Sequence, residues 1–207
     1  MFLQGIPGST SKIADGVASS AMRIGNQNDL IVSELHGRYY EQTYRKNKFG
    51  GSIVGQVTTV GAATTYTGLC LSNPIGSGVN LILDKVGISF LVGFTASATV
   101  GVMTGINTST NVTHTAAAVV RNKFIGAAAG FGLLDSSATL PTAPVLDIVF
   151  LAGLTGAITT STSAADGLFE LEGSIILPPG AYAAIYTSTA SGAASMSASF
   201  SWEEAAI

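Results

Sequence analysis

Residues 195–203, Ser-Met-Ser-Ala-Ser-Phe-Ser-Trp-Glu, carry the clearest structural pattern in this chain of 207 residues. Ala198, Phe200 and Trp202 alternate there with polar residues, and successive side chains of an extended strand point to opposite faces. Residues 168–177 alternate in the same manner between apolar residues on one side and glutamate or serine on the other. Both stretches therefore predict half-buried β-strands.

Seven further segments are rich in Val, Ile, Thr, Phe and Tyr and are bounded by Gly, Pro, Asn and Ser, which is typical of strands and tight turns. With them, the predicted strands cover residues 52–60, 64–71, 80–91, 96–103, 113–120, 145–152, 168–177, 181–187 and 195–203. Pro178-Pro179-Gly180 predicts a turn, because proline cannot donate to a ladder and glycine accepts a positive φ. The pattern predicts an all-β fold, an antiparallel β-sandwich of jelly-roll type. The alternative is a shorter sandwich in which residues 121–134, rich in Ala and Gly, form a loop or a short helix.

The first part of the chain has a different composition from the rest. Residues 1–48 contain Gly-Ser-Thr-Ser turns, scattered apolar residues and a cluster of aromatic and basic side chains, and Gly50-Gly51 marks the change to strand-forming residues. We therefore predict an extended N-terminal arm at 1–48 and a β-sandwich domain at 49–207.

Charged residues are scarce in this sequence. They make up 10% of the chain and hydrophobic residues 47%, whereas a soluble domain usually carries about 25% charged residues. We expect much of the surface to be buried against other subunits.

The charge that exists is unevenly distributed. Residues 1–48 carry six basic and four acidic residues, and the remainder carries three basic and eight acidic residues. This asymmetry fits either a basic arm attracted to an acidic neighbour or a solvated leader segment. The overall net charge of −3 gives no general attraction to phosphate backbones, so we expect no nucleic-acid partner.

Cys70 is the single cysteine, so an intrachain disulfide is excluded, and its apolar neighbours predict a buried thiol. The N-terminus does not resemble a signal peptide. Residues 86–120 are uncharged, but Gly, Ser, Thr and Asn interrupt them throughout. Because a spanning helix needs about 20 predominantly apolar residues, we expect no transmembrane helix and no membrane partner.

No catalytic group is evident in the sequence. His36 and His114 are the two histidines, and neither shows a spacing that pairs it with a nucleophile. The pairs Glu170 with Glu172 and Glu203 with Glu204 are more typical of solvated strand edges. We therefore expect no enzyme, no catalytic residue and no small-molecule substrate.

Metal and cofactor sites have equally little support. His, Cys and Asp do not cluster at metal-ligand spacings, although calcium held at subunit contacts by Asp135, Asp147 or Asp166 stays open as a weak alternative. The Gly-rich stretches lack the residues of a phosphate-binding loop. We expect neither a metal nor a cofactor.

The strongest candidate for a functional site is an aromatic and basic cluster in the arm. Rings interleaved with cations stack on single-stranded bases in some proteins, but Tyr and Arg are also favoured anchors of protein interfaces. Since the rest of the chain is acidic, we favour a protein partner. The predicted interface consists of Arg38, Tyr39, Tyr40, Tyr44, Arg45, Lys46 and Lys48.

Four stretches, in this order, resemble virion structural proteins of tailed bacteriophages. They are DLIVSELHGRYYE at 29–41, LSNPIGSGVNL at 71–81, ILPPG at 176–180 and SWEE at 201–204. The resemblance implies a role in the virion and supplies no catalytic residues. A sandwich with an N-terminal arm is also similar in plan to capsid cement or decoration proteins, which commonly form trimers over the junctions of capsid subunits.

From this resemblance we expect a cement or decoration protein of the phage head. It would act as a homotrimer and bind the major capsid protein, stabilising the head by bridging capsid subunits. The alternative is a host-receptor or glycan-binding protein of the head or tail fibre. Such a protein needs exposed aromatic rings near its loops, and residues 104–115 and 157–166 contain none.

Overall fold

The computed structural model describes residues 37–91, 94, 96–154, 167–191 and 196–207. These residues form a short helix, α1 (Tyr40–Tyr44), and strands that belong to two antiparallel sheets. The strands are β1 (Lys48–Gln56), β2 (Thr65–Ser72), β3 (Val79–Phe90), β4 (Ala98–Ile106), β5 (Thr113–His114), β6 (Ala117–Ala118), β7 (Arg121–Asn122), β8 (Leu133–Thr139), β9 (Val145–Leu154), β10 (Gly167–Leu177), β11 (Ala181–Thr187) and β12 (Met196–Ala206).

The strand pairing is nested. β1 pairs with β12, β2 with β11, β3 with β10 and β4 with β9, so the first half of the chain runs antiparallel to the second half throughout. The two halves of the chain thus form a long antiparallel ribbon. This ribbon folds back on itself, so that β12 also pairs with β3 and β11 also pairs with β4. The result is one sheet with the order β10-β3-β12-β1-β7 and another with the order β5-β8-β2-β11-β4-β9. This is jelly-roll topology, and it confirms the predicted antiparallel sandwich.

An insertion between β4 and β9 extends both sheets on one side of the sandwich. β8 adds to the free edge of β2, with β5 and β6 beside β8. β7 adds to the free edge of β1 in the other sheet. The exposed edges of β1 and β2 are therefore covered by the chain itself, which blunts two edges that would otherwise invite pairing with another chain.

The main core lies between the two sheets. The alternation read from residues 195–203 holds in β12, where Ala198, Phe200 and Trp202 are buried and the intervening serines are partly exposed. The ring of Phe49 from β1 stacks on Trp202 with centroids 6.2 Å apart. At the opposite side of the sandwich, Phe150 of β9 stacks on Phe169 of β10 at 4.2 Å, which joins the two edge strands across the core.

A second, smaller core covers the outer face of the sheet that contains β2 and β11. Tyr66, Cys70, Tyr182 and Ala184 point away from the main core and pack with Val112 and other residues of the insertion. β11 is therefore buried on both faces, which explains its apolar sequence without strict alternation. This second layer brings residues of the insertion onto the sheet.

Most predicted strands are confirmed, but the prediction for residues 113–139 was wrong. Residues 113–120 form two separate short pairings, β5 and β6. Residues 121–134, for which a loop or a short helix was the alternative, hold β7, then turns, then the start of β8 at Leu133. Strand β8 was not predicted, because Leu133-Leu-Asp-Ser-Ser-Ala-Thr139 carries three polar side chains in its middle.

The sandwich belongs to a unit that runs from Glu41 to Ile207. β1 begins at Lys48, one residue before the predicted domain start. Of the predicted arm at 1–48, residues 1–36 lie outside the described residues, as do His36, Asp166 and the loop at 157–166.

Candidate functional site

The predicted interface cluster is divided by the fold. Tyr44, Arg45 and Lys46 lie at the end of α1, where Lys46 adopts a positive φ of 68° that ends the helix. Arg45 Nε lies 2.8 Å from the Glu41 carboxylate one turn earlier. The rings of Tyr44 and Phe124 meet edge to face at 6.4 Å, and Lys46 Nζ lies 5.7 Å from the centroid of Phe124. This part of the cluster thus sits on the turn that follows β7.

Arg38, Tyr39 and Tyr40 precede the sandwich unit. The Arg38 guanidinium lies 5.4 Å from the centre of the Tyr39 ring, within the range of a cation–π contact. Arg38 is exposed, and Tyr40 is 43% exposed. The position of these side chains is compatible with the predicted protein interface, which remains a prediction.

Lys48 differs from the rest of the predicted cluster. It is the first residue of β1, it is buried, and its Nζ lies 2.8 Å from Oδ2 of buried Asp84. Asp84 is the residue that the bulge between β3 and β12 leaves without a cross-strand partner. Burial raises the pKa of the neighbouring Glu203 carboxyl; Lys48 opposes this shift and Asp84 adds to it. Lys48 therefore supports the fold and is not part of an exposed surface.

The outer face of the five-stranded sheet is nearly free of bulky side chains along one row. Leu168 is paired with Gly87, Gly87 with Ser199, and Ser199 with Ser52 on β1. These residues line a shallow groove together with Val54. Leu168 is 66% exposed and Val54 is 74% exposed. The groove thus combines small residues with two large apolar side chains that face solvent.

The outer side of the other sheet holds a polar arrangement that was not predicted from the sequence. Ser72 Oγ lies 3.1 Å from His114 Nε2, and His114 Nδ1 lies 3.1 Å from Asp135 Oδ2. The carboxylate of Asp135 is fully buried, and its Oδ1 accepts hydrogen bonds from the N–H groups of Ala116 and Ser137. A serine, a histidine and an aspartate are therefore linked in series.

Ser72 and His114 both line a cavity of about 190 Å³. Asn73, Asn111 and Leu133 are among its other lining residues. The sequence held no signal for this site, because its three linked residues are 42 and 21 positions apart and are brought together only by the β2–β8 and β5–β8 pairings.

Cys70 lies one pair of residues before Ser72 on the same face of β2 and is buried, as predicted. Burial raises the pKa of its thiol, and the nearby Asp135 carboxylate raises it further. The thiol is therefore held in its protonated form, which is a poor nucleophile.

The paired glutamates are separated or exposed in the structure. Glu203 and Glu204 point to opposite sides of β12, and Glu204 accepts hydrogen bonds from the N–H groups of Phe131 and Gly132. Glu170 is exposed, and its Oε1 lies 2.7 Å from Lys85 Nζ.

Across the described ranges, no three His, Cys, Asp or Glu side chains are grouped as metal ligands. In those same ranges no helix has the length and apolar character needed to cross a membrane.

No protein-family model, curated protein or solved structure matched this chain.

Proposed function

We propose that this chain is a virion structural protein, a capsid cement or decoration protein of a tailed-phage head. It acts as a homotrimer that binds the major capsid protein and stabilises the shell by bridging capsid subunits. The observation that carries the proposal is a jelly roll with few charges whose large apolar side chains face solvent.

The fold supports this proposal by analogy. Jelly rolls are common in viral capsid proteins, and they also occur in lectins and cupins, so the topology by itself does not assign a function. The surface adds a physical argument. Val54, Leu91, Val119 and Val145 are each at least 66% exposed, in a chain of which 10% is charged. Such side chains are stabilised by burial against a neighbour.

We assign the groove beside Val54 and Leu168 to a neighbouring copy of this chain. Its row of Gly and Ser residues lets another backbone approach closely, and the row itself contains no charged residue that would select an oppositely charged partner. A stable interface of this kind buries about 1,200–2,000 Å² in total. We assign the exposed part of the predicted cluster, around Arg38 and Tyr40, to the contact with the capsid subunit.

The test combines a mass measurement with binding to empty phage shells. We expect the purified chain to be a trimer and to co-sediment with shells. Changing both Val54 and Leu168 to Lys is expected to dissociate the trimer, whereas Ile125→Lys, at a residue 78% exposed on the turn after β7, is expected to leave it intact. Deleting residues 1–40, which precede the sandwich unit, is expected to preserve the fold and weaken retention on shells.

Two outcomes would refute parts of this proposal. If the purified chain is a monomer and does not bind phage shells, the proposed structural role is refuted. A trimer that does not bind shells but binds sugars on a glycan array would favour the host-receptor or glycan-binding alternative, since lectins share this topology.

A further inference from the structure

We propose that Ser72, His114 and Asp135 form a nucleophile, base and orienting acid that hydrolyse small, uncharged carboxylic esters. This activity is independent of the structural role proposed above. It rests on the series of contacts on the outer side of the β2–β8 sheet and on the cavity that reaches them.

The distances fit the roles. A nucleophile and its base lie within about 2.6–3.2 Å of each other in such sites, and a third group orients the base. The Ser72–His114 and His114–Asp135 contacts are both 3.1 Å. Serine, histidine and aspartate occur in unrelated chain orders in different hydrolases, so the arrangement is recognised by geometry and not by sequence position.

The aspartate is held as an orienting group requires. Asp135 on β8 pairs with Cys70 on β2, and its Oδ1 accepts hydrogen bonds from two backbone N–H groups. This leaves Oδ2 directed at His114 Nδ1. Nδ1 then carries the hydrogen, and Nε2 is the nitrogen free to accept the proton of Ser72.

The cavity gives the reacting atoms access to a small substrate. Ser72 is only 3% exposed as a residue, but it lines the cavity of about 190 Å³ beside the His114 ring, which is 22% exposed. Sites for drug-sized ligands measure about 300–1,000 Å³, so this cavity suits a short acyl group. Its lining contains no lysine, arginine or glutamate, which favours an uncharged ester.

Asn111 lines the same cavity as Ser72 and His114. Its Oδ1 accepts a hydrogen bond of 2.7 Å from the Ile75 N–H, which fixes the amide at the cavity. Within the described residues its Nδ2 makes no hydrogen bond. We assign to this Nδ2 group the donor that binds the developing negative charge, a role that side-chain amides fill in other hydrolases.

The reaction has two balanced steps. Ser72 Oγ attacks the ester carbonyl carbon while its proton passes to His114 Nε2, and collapse of the tetrahedral intermediate breaks the bond to the alcohol oxygen, which leaves with that proton. Water then attacks the acyl-Ser72 ester, gives its proton to Nε2, and Ser72 Oγ leaves with it as the acid is released. Asp135 stabilises the imidazolium in both steps.

The first experiment needs no variant. The wild-type chain is treated with diisopropyl fluorophosphate, a small serine-directed reagent, and the modified peptide is mapped by mass spectrometry. We expect stoichiometric modification at Ser72 and loss of p-nitrophenyl acetate hydrolysis. An unmodified Ser72 in the folded chain, with acetate release at the buffer rate, would overturn the proposal and leave the three side chains as a brace between β5 and the sheet.

Variants test the nucleophile, the base and the oxyanion donor separately. Ser72→Ala is expected to abolish labelling and hydrolysis, and His114→Gln to lower hydrolysis by about 10²–10⁴-fold. Asn111→Asp keeps the acceptor for the Ile75 N–H and removes the donors, and it is expected to lower kcat by about 10²–10³-fold. Ser191→Ala is the matched control, because Ser191 is also buried, its Oγ accepts a hydrogen bond from the Thr58 N–H, and it does not line the cavity. Activity unchanged in folded Ser72→Ala would refute the assignment.

Discussion

At the scale of single residues, Lys48 and Asp84 form a buried ion pair in the five-stranded sheet, with Nζ 2.8 Å from Oδ2. Its side chains are only 6% and 7% exposed, so water cannot solvate either charge if the other is removed. Breaking a buried pair by removing one partner costs about 3–5 kcal/mol, whereas replacing both partners with apolar residues is often neutral.

We therefore expect Lys48→Met to lower the free energy of unfolding by about 3 kcal/mol. The double variant Lys48→Met with Asp84→Leu is expected to recover most of this loss. Lys85→Met is the control, since the side chains of its pair with Glu170 are 27% and 48% exposed and a pair accessible to water contributes at most about 1 kcal/mol. Urea titrations of the four proteins measure the differences, and equal losses in the single and double variants would contradict this account.

At the scale of elements, the turn between β10 and β11 was predictable because its residues have restricted backbones. Pro178-Pro179-Gly180 turns the chain as expected, with the Ala181 N–H donating to the Pro178 carbonyl at 2.9 Å. Gly180 has a φ of 86°. The Asn107 N–H donates to the Gly180 carbonyl at 3.0 Å, which joins the turn to the loop after β4. A Cβ on residue 180 would overlap the carbonyl oxygen of Asn107.

We expect Gly180→Ala to destabilise the protein by about 1–3 kcal/mol, the cost of a left-handed conformation for a residue other than glycine, with the overlap adding to it. Gly76→Ala is a useful control, because it also has a positive φ, of 82°, but open space at its Cβ. Thermal unfolding of both variants checks this, and the prediction fails if Gly76→Ala is the more destabilised of the two.

At the scale of the whole molecule, the nested pairing predicts slow folding. The outermost pair joins Lys48 to Glu203, and each inner pair joins residues that are far apart in the chain. Loop closure must precede these contacts, and sandwiches dominated by such pairings fold in about milliseconds to seconds.

We expect refolding from urea to follow a main phase in that range. Trp202, the single tryptophan, is fully buried between the sheets, so stopped-flow fluorescence reports formation of the main core. Complete recovery of its native fluorescence within microseconds would contradict a mechanism limited by non-local pairing.

The sequence alone determined most of the longer strands of this protein and their buried faces. Alternation is a local property, because it follows from the direction of successive side chains, and residues 195–203 showed it without reference to any partner strand. Strand β8 was missed because Asp135 and its serine neighbours look like a polar loop, although the insertion covers Asp135 in the folded chain.

Only the tertiary structure decided which strands pair and which side chains meet. The burial of Lys48 depends on Asp84, 36 positions away, and the Ser72–His114–Asp135 series depends on β8 lying between β2 and β5. Such contacts leave no periodic trace in the sequence, since the residues that make them are selected by cross-strand register and not by their neighbours in the chain.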